Sequence, residues 1–204
     1  TMMQHKIYAY ISDGGIEEEI SQGTGRLAGV LGLNNLIMFY DSNDIQLSTE
    51  CHVVMQEDTA AKYRAWGWNV ICIDGNDADA IRQALTAANA EQERPTLIIG
   101  KTIMGKGALR EDGSSYENTI KTHGAPLGGE AYRNTVSHLG GNPDDPFVIF
   151  DEVKALYDAR RHELQTIVAA RRQAEAEWAA AHPDKAAQMH EWFSGNAPRV
   201  DWSA

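Results

Sequence analysis

The amino-acid sequence predicts an α/β fold: a partial parallel sheet with helices on both faces, followed by an α-helical tail. Three observations carry this expectation. Short apolar runs of strand length alternate with segments whose apolar residues recur at helical spacing. Two of those runs end in polar clusters, Asp13-Gly14-Gly15 and Asp41-Ser42-Asn43, where a strand hands over to a loop. From Phe150 onward the pattern becomes almost purely helical. The expected organisation is one unit over residues 1–149 and a helical linker over 150–204.

Each element follows from its residues. Residues 7–11 form a short apolar run that enters a strand almost at once, so the chain reads as cut from something larger. Ile16, with Ile20, Leu27, Val30 and Leu31 of "EEEISQGTGRLAGVLG", stands at helix-compatible spacings, so a helix is expected between the first two strands. Residues 36–40 of "NLIMFYDSN" read as a second, buried strand. A helix over 58–66 leads to the strand "WNVICID". The segment "DADAIRQALTAANAE" then places Ile81 and Leu85 one helical turn apart. "RPTLIIGKT" is a fourth strand with Pro95 at its entrance. Residues 105–128 lapse into a Gly-rich polar loop. The tail helix is Ala-rich and amphipathic, breaks at Pro183, and is followed by a shorter helix ending on Gly195.

Composition excludes several functions. A net charge of -11 leaves no basic face for nucleic acid or an anionic membrane surface, since binding to phosphates needs clustered Lys and Arg. Cys51 and Cys72 stand alone without metal-ligand spacing, as expected of reduced thiols in a cytoplasmic protein. No apolar segment reaches the ~18 residues needed to cross a bilayer, and the first residues do not form a signal peptide.

The polar clusters carry the chemistry. Ligands of open parallel sheets bind outside the carboxyl ends of the strands. Asp13 follows the first strand and Asn43 the second, and strands joined by a crossover helix often lie side by side. The two oxygen donors are therefore expected at one sheet end. A small hard cation such as Mg²⁺ uses one or two carboxylates together with phosphate oxygens and water. Gly14 and Gly15 allow backbone amides to approach a phosphate, and the following helix N-terminus adds partial positive charge. By spacing alone, Asp-Gly-Gly is also an ordinary turn and Asp-Ser-Asn ordinary loop chemistry.

The longer string "SDGGIEEEIS…GTGRLAGVLGLNNLIMFYDSNDIQLS" resembles the thiamine diphosphate motif, a GDG triplet with Asn about thirty residues later, in its transketolase version. "EDTAAKYRAWGWNVICIDGND", "PTLIIGKTIMGKG" and "THGAPLGGEAYR" are similar to successive transketolase blocks in the same order. The resemblance covers roughly residues 5 to 200. It implies transfer of a two-carbon ketol unit from a ketose phosphate to an aldose phosphate by means of thiamine diphosphate, with Mg²⁺ or Ca²⁺. It implies Asp13, Asn43 and the carbonyl of Ile45 as metal ligands, and Gly14 as a diphosphate contact. Glu18 matches a glutamate near the dimer interface, and Leu47 and Met104 match apolar positions beside the thiazolium ring. His123 matches a histidine that reaches diphosphate and sugar. The partners implied are sugar phosphates, the remaining transketolase domains and a second subunit in a homodimer. Other functional residues of the family lie outside this chain, so the fragment alone is expected to be inactive.

Three positions depart from the family pattern. Ser12 replaces the first glycine of the triplet, Asp44 stands where glycine is frequent, and the loop "LREDGSSYENTIK" before His123 is longer. The rival expectations are a related enzyme, such as a deoxyxylulose phosphate synthase or the first component of a 2-oxoacid dehydrogenase, and a non-catalytic interaction module on a degenerate cofactor fold. Outside the motif, His5, His52 and His138 are expected at the surface or in packing, Trp66 and Trp68 in the core, and Lys106 either on phosphate or in solvent.

Overall fold

In the computed structural model, residues 5–196 are described. His5–Pro146 form one compact unit, and the described residues from 147 onward form another. The first unit holds β1 (Ile7–Ser12), α1 (Asp13–Glu17), α2 (Glu19–Val30), β2 (Leu36–Ser42), α3 (Cys51–Val54), α4 (Thr59–Ala65), β3 (Asn69–Asp74), α5 (Ala78–Ala90), β4 (Thr96–Lys101), α6 (Ile120–Gly124) and α7 (Gly129–His138). The second holds α8 (Asp151–Ala181) and α9 (Pro183–Phe193). Pro183 opens α9, where its missing N–H costs nothing, and Gly195 lies just beyond the helix at φ +79°.

All four strands are parallel, in the order β1-β2-β4-β3. Sequence neighbours β1 and β2 pair directly, whereas β4 inserts between β2 and β3. The alternation of side chains along β2 divides the core into two layers. Tyr40, with Leu36 and Met38, joins Ile16, Ala28, Tyr63, Trp68 and Leu97 beneath α1, α2 and α4. Ile37 and Phe39 join Ile98, Ala84 and Ala88 beneath α5. Each fully buried aliphatic side chain contributes about 1.5–3 kcal/mol. Asp58 and Asp77 cap α4 and α5, accepting from Ala61 N–H at 2.9 Å and from Asp79 N–H at 2.8 Å.

The single helix expected between the first two strands is corrected here. Glu18 adopts extended backbone, φ -60° and ψ 133°, and divides the segment into α1 and α2. The break resets the helical phase. Ile16 remains in the core, but Ile20, Leu27, Val30 and Leu31 face outward, and α2 packs inward through Gly25, Ala28 and Gly29. Small residues let the helix approach Tyr63, Trp66 and Trp68 closely, and the Trp68 indole N–H donates to the Gly25 carbonyl at 2.8 Å. The sequence pattern gave no sign of α3, nor of α7 as a separate helix.

Tyr63 is fully buried, and its hydroxyl has no hydrogen-bond partner among the described residues. Burial pushes this phenol up to about 12. A raised phenol pKa means the folded state favours the neutral form. That contribution is fully present below the ordinary value of 10.0 and is lost as pH rises through about 12. Denaturant midpoints should therefore fall between pH ~8 and pH ~12, and fall less in Tyr63→Phe. An equal fall in the variant would show that Tyr63 does not contribute.

Candidate functional site

Parallel pairing sets Ser12 of β1 opposite Asp41 of β2, so both strands release the chain at the same sheet end. Asp13 is 2% exposed and Asn43 8%. The Asn43 backbone N–H donates to Asp13 Oδ2 at 2.9 Å, and the Tyr40 hydroxyl donates to Oδ1 at 2.5 Å. Asn43 Oδ1 accepts from the Ile45 N–H at 3.0 Å, which folds the loop so that Ile45, 5% exposed, lies against the same corner. Burial, and next the Asp13 charge, push the Cys51 thiol up to about 11. Burial first, then the hydrogen bond to Asp13, also raises the Tyr40 phenol well above its usual range, so it remains a proton donor.

No Lys, Arg or His forms an ion pair with Asp13 among the described residues. A carboxylate buried without countercharge is costly, and a divalent cation is the species that would offset the cost. Each carboxylate oxygen retains a second lone pair after accepting one hydrogen bond. The carboxylate, the Asn43 amide and the Ile45 carbonyl would together make a hard, all-oxygen donor set of the kind that suits Mg²⁺ or Ca²⁺. Among the described residues no three His, Cys, Asp or Glu side chains gather as a metal site. A cation held there would take Asp13 as its carboxylate ligand and would need phosphate oxygens or water to complete its shell.

Two departures from the motif have local explanations. Ser12 has φ -105° and ψ 177°, extended backbone open to any residue. Asp44 has φ +67°, the left-handed region, where glycine is unstrained and Asp is among the better-tolerated alternatives. Its carboxylate pairs with Lys101. Beyond the ends of β2, β3 and β4 lies an open cavity of about 1010 Å³, whose lining includes Asn43, Ile45, Asp74, Lys101, Lys106 and Asn118. Asp41, near the end of β2, is held from both sides: Tyr10 donates to one of its oxygens at 2.7 Å and the Thr102 hydroxyl to the other.

The family profile described as "transketolase, thiamine diphosphate binding domain" matches residues 1–198. The chain belongs to the transketolase family. It is 37% identical to transketolase 1 of Vibrio cholerae over 204 residues, all of this chain and 30% of that protein. The transketolase structure from Leishmania mexicana superposes with a TM-score of 0.87 at 31% identity, covering 97% of this chain and 29% of that one. A transketolase from Pichia stipitis in complex with sedoheptulose 7-phosphate gives the same TM-score at 29% identity. The chain thus spans about 30% of the length of the curated transketolase it matches over its whole length.

The remaining positions that transketolase resemblance singles out are distributed as follows. A Cβ on Gly14 would meet nothing within 4 Å, so its flank is open to a ligand. The helix that holds it, α1, has only five residues, too short for the macrodipole expected of a full helix N-terminus. Glu18 is exposed at the α1–α2 break. Leu47, 73% exposed, has its Cδ1 3.4 Å from where a Gly124 Cβ would stand, next to the exposed His123. The Met104 carbonyl accepts from Asn118 N–H at 2.9 Å, and Thr119 caps α6, which carries His123. The long loop folds back through the Leu109–Ser115 bridge and docks on α7, where Thr135 Oγ1 accepts from Leu109 N–H at 2.9 Å and Asn134 donates to the Arg110 carbonyl. Trp68 lies in the core and Trp66 packs against it, while His52 is exposed and pairs with Glu50 at 3.2 Å. The contact of Tyr40 with Asp13, and the effect of the Asp13 charge on Cys51, were missed from sequence. The one available signal was a tyrosine on the inward face of a buried strand, where its hydroxyl needs a partner.

Proposed function

We propose that this chain supplies the cation- and diphosphate-binding part of a transketolase that transfers a two-carbon ketol unit between sugar phosphates. The observation that carries the reading is the buried Asp13 carboxylate, tied to Asn43 and lacking a cationic partner among the described residues. Asp13, the Asn43 amide and the Ile45 carbonyl would hold Mg²⁺ or Ca²⁺, and Gly14 would offer its N–H to the diphosphate. Leu47 and Met104 would wall the reacting ring, and an apolar wall strengthens the charges acting there. When bound, thiamine diphosphate supplies the electron sink for breaking a bond next to a carbonyl. Glu18 would lie near a second subunit of a homodimer. Free Cys51 and Cys72 support a reducing, cytoplasmic setting, and ketol transfer between sugar phosphates would place the enzyme in the pentose phosphate pathway.

The test is ketol transfer by the natural full-length protein from xylulose 5-phosphate to ribose 5-phosphate. Cofactor binding without that transfer would overturn the transketolase reading. His123, exposed beside Leu47 and Gly124, would contact the sugar. In His123→Ala the kcat/KM for the donor should fall by about 10- to 100-fold, the worth of one charged hydrogen bond, while cofactor affinity changes much less. Unchanged steady-state constants would remove His123 from the site.

A further inference from the structure

Tyr40 touches the candidate cation site, yet the proposed reaction assigns it no role. It is 3% exposed, its ring lies in the core layer under α1 and α2, and its hydroxyl is aimed at Asp13. The two oxygens of Asp13 are held from different directions: Oδ1 by Tyr40 on β2, and Oδ2 by the backbone N–H of Asn43, one residue past that strand. With both oxygens tied, the carboxylate plane has one orientation. One short segment, 40–43, then sets the position of the Asn43 amide and the direction of the Asp13 lone pairs together.

We propose that Tyr40 is a positioning residue that pre-orients the Asp13 carboxylate for a divalent cation. This rests on the reading of Asp13 as a cation ligand. Groups that orient a metal ligand without touching the metal change affinity by about 10- to 100-fold when removed. Tyr40→Phe keeps the buried ring and deletes only the donor, so the packing of Leu97, Ile16 and Tyr63 around it is retained.

The experiment is Mn²⁺ titration by electron paramagnetic resonance of the natural full-length protein with thiamine diphosphate and no sugar, comparing wild type, Tyr40→Phe and Asp13→Asn. The expected result is an Mn²⁺ Kd raised about tenfold in Tyr40→Phe, with cofactor affinity restored at saturating Mn²⁺. The thermal midpoint without cation is expected to fall, because buried Asp13 Oδ1 loses its donor, so the Mn²⁺ Kd measured below that midpoint is the readout that a purely structural role would leave unchanged. 3-Fluorotyrosine at position 40, which keeps both ring and donor, should retain near-wild-type affinity, and it tests the proposal even if the Phe variant fails to fold. Equal Mn²⁺ affinity in wild type and Tyr40→Phe, or loss of affinity with fluorotyrosine as large as with Phe, would overturn the positioning role alone. Equal affinity in wild type and Asp13→Asn would instead overturn the cation reading on which it rests.

Discussion

Replacing Asp13 by Ala is expected to lower cation-dependent binding of thiamine diphosphate by on the order of 100-fold or more, beyond the range of groups that only orient a ligand. The reason is electrostatic. Around the cavity stand Asp44, Glu50 and Asp74, and Asp44 already pairs with Lys101, one of the two lysines in the lining. A diphosphate without its cation meets this acidic rim in a chain of net charge -11. The Ala variant also strands the Tyr40 hydroxyl and the Asn43 N–H in a buried place, at a cost of about 1–3 kcal/mol. Asp13→Asn separates the two effects, because it keeps the shape and one acceptor while deleting the charge. Calorimetry at fixed Mg²⁺ should therefore show binding lost in both variants, with the larger drop in melting temperature in Ala. Wild-type affinity in Asp13→Asn would take the carboxylate out of the site.

The largest effect on stability is expected from Gly29→Ala. A Cβ there would sit 1.8 Å from the Trp66 carbonyl oxygen and 2.9 Å from its carbon, both backbone atoms that cannot swing aside. Helix α2 must then retreat from Trp66 and Trp68, opening the layer that holds Ile16, Ala28 and Tyr63 and straining the Trp68–Gly25 hydrogen bond. The expected loss is about 3 kcal/mol, the upper end for overpacking a well-filled core. Gly14→Ala is the control: its Cβ enters open space, so stability should hold while diphosphate affinity drops. Chemical denaturation of the three proteins checks both stabilities and calorimetry with thiamine diphosphate checks the affinity; a Gly29→Ala midpoint equal to wild type would contradict the close contact.

Much of the candidate site was legible because its signals are local. Asp13 and Asn43 each follow directly on a recognisable apolar run, and once two strands are joined by one crossover their tips fall at the same sheet end. The glycine preference at position 44 likewise has a local cause, the positive φ that Asp44 now adopts. Tyr40 was not legible as a partner of Asp13. Its role depends on how far the ring reaches through a core layer assembled from residues of α1, α2, α4 and all four strands.

By itself the sequence determined the alternation of strands and helices, the break at Pro183, and the spacing that delivers an acid and an amide to one corner, because periodicity and turn chemistry act over a few residues. Only the tertiary structure decided that β4 separates β2 from β3, that α2 packs inward on Gly25, Ala28 and Gly29 rather than on its larger apolar residues, and that both Asp13 oxygens are held. These depend on which faces meet across long stretches of chain. There, close packing and the satisfaction of buried polar groups outweigh the hydrophobicity of any single segment.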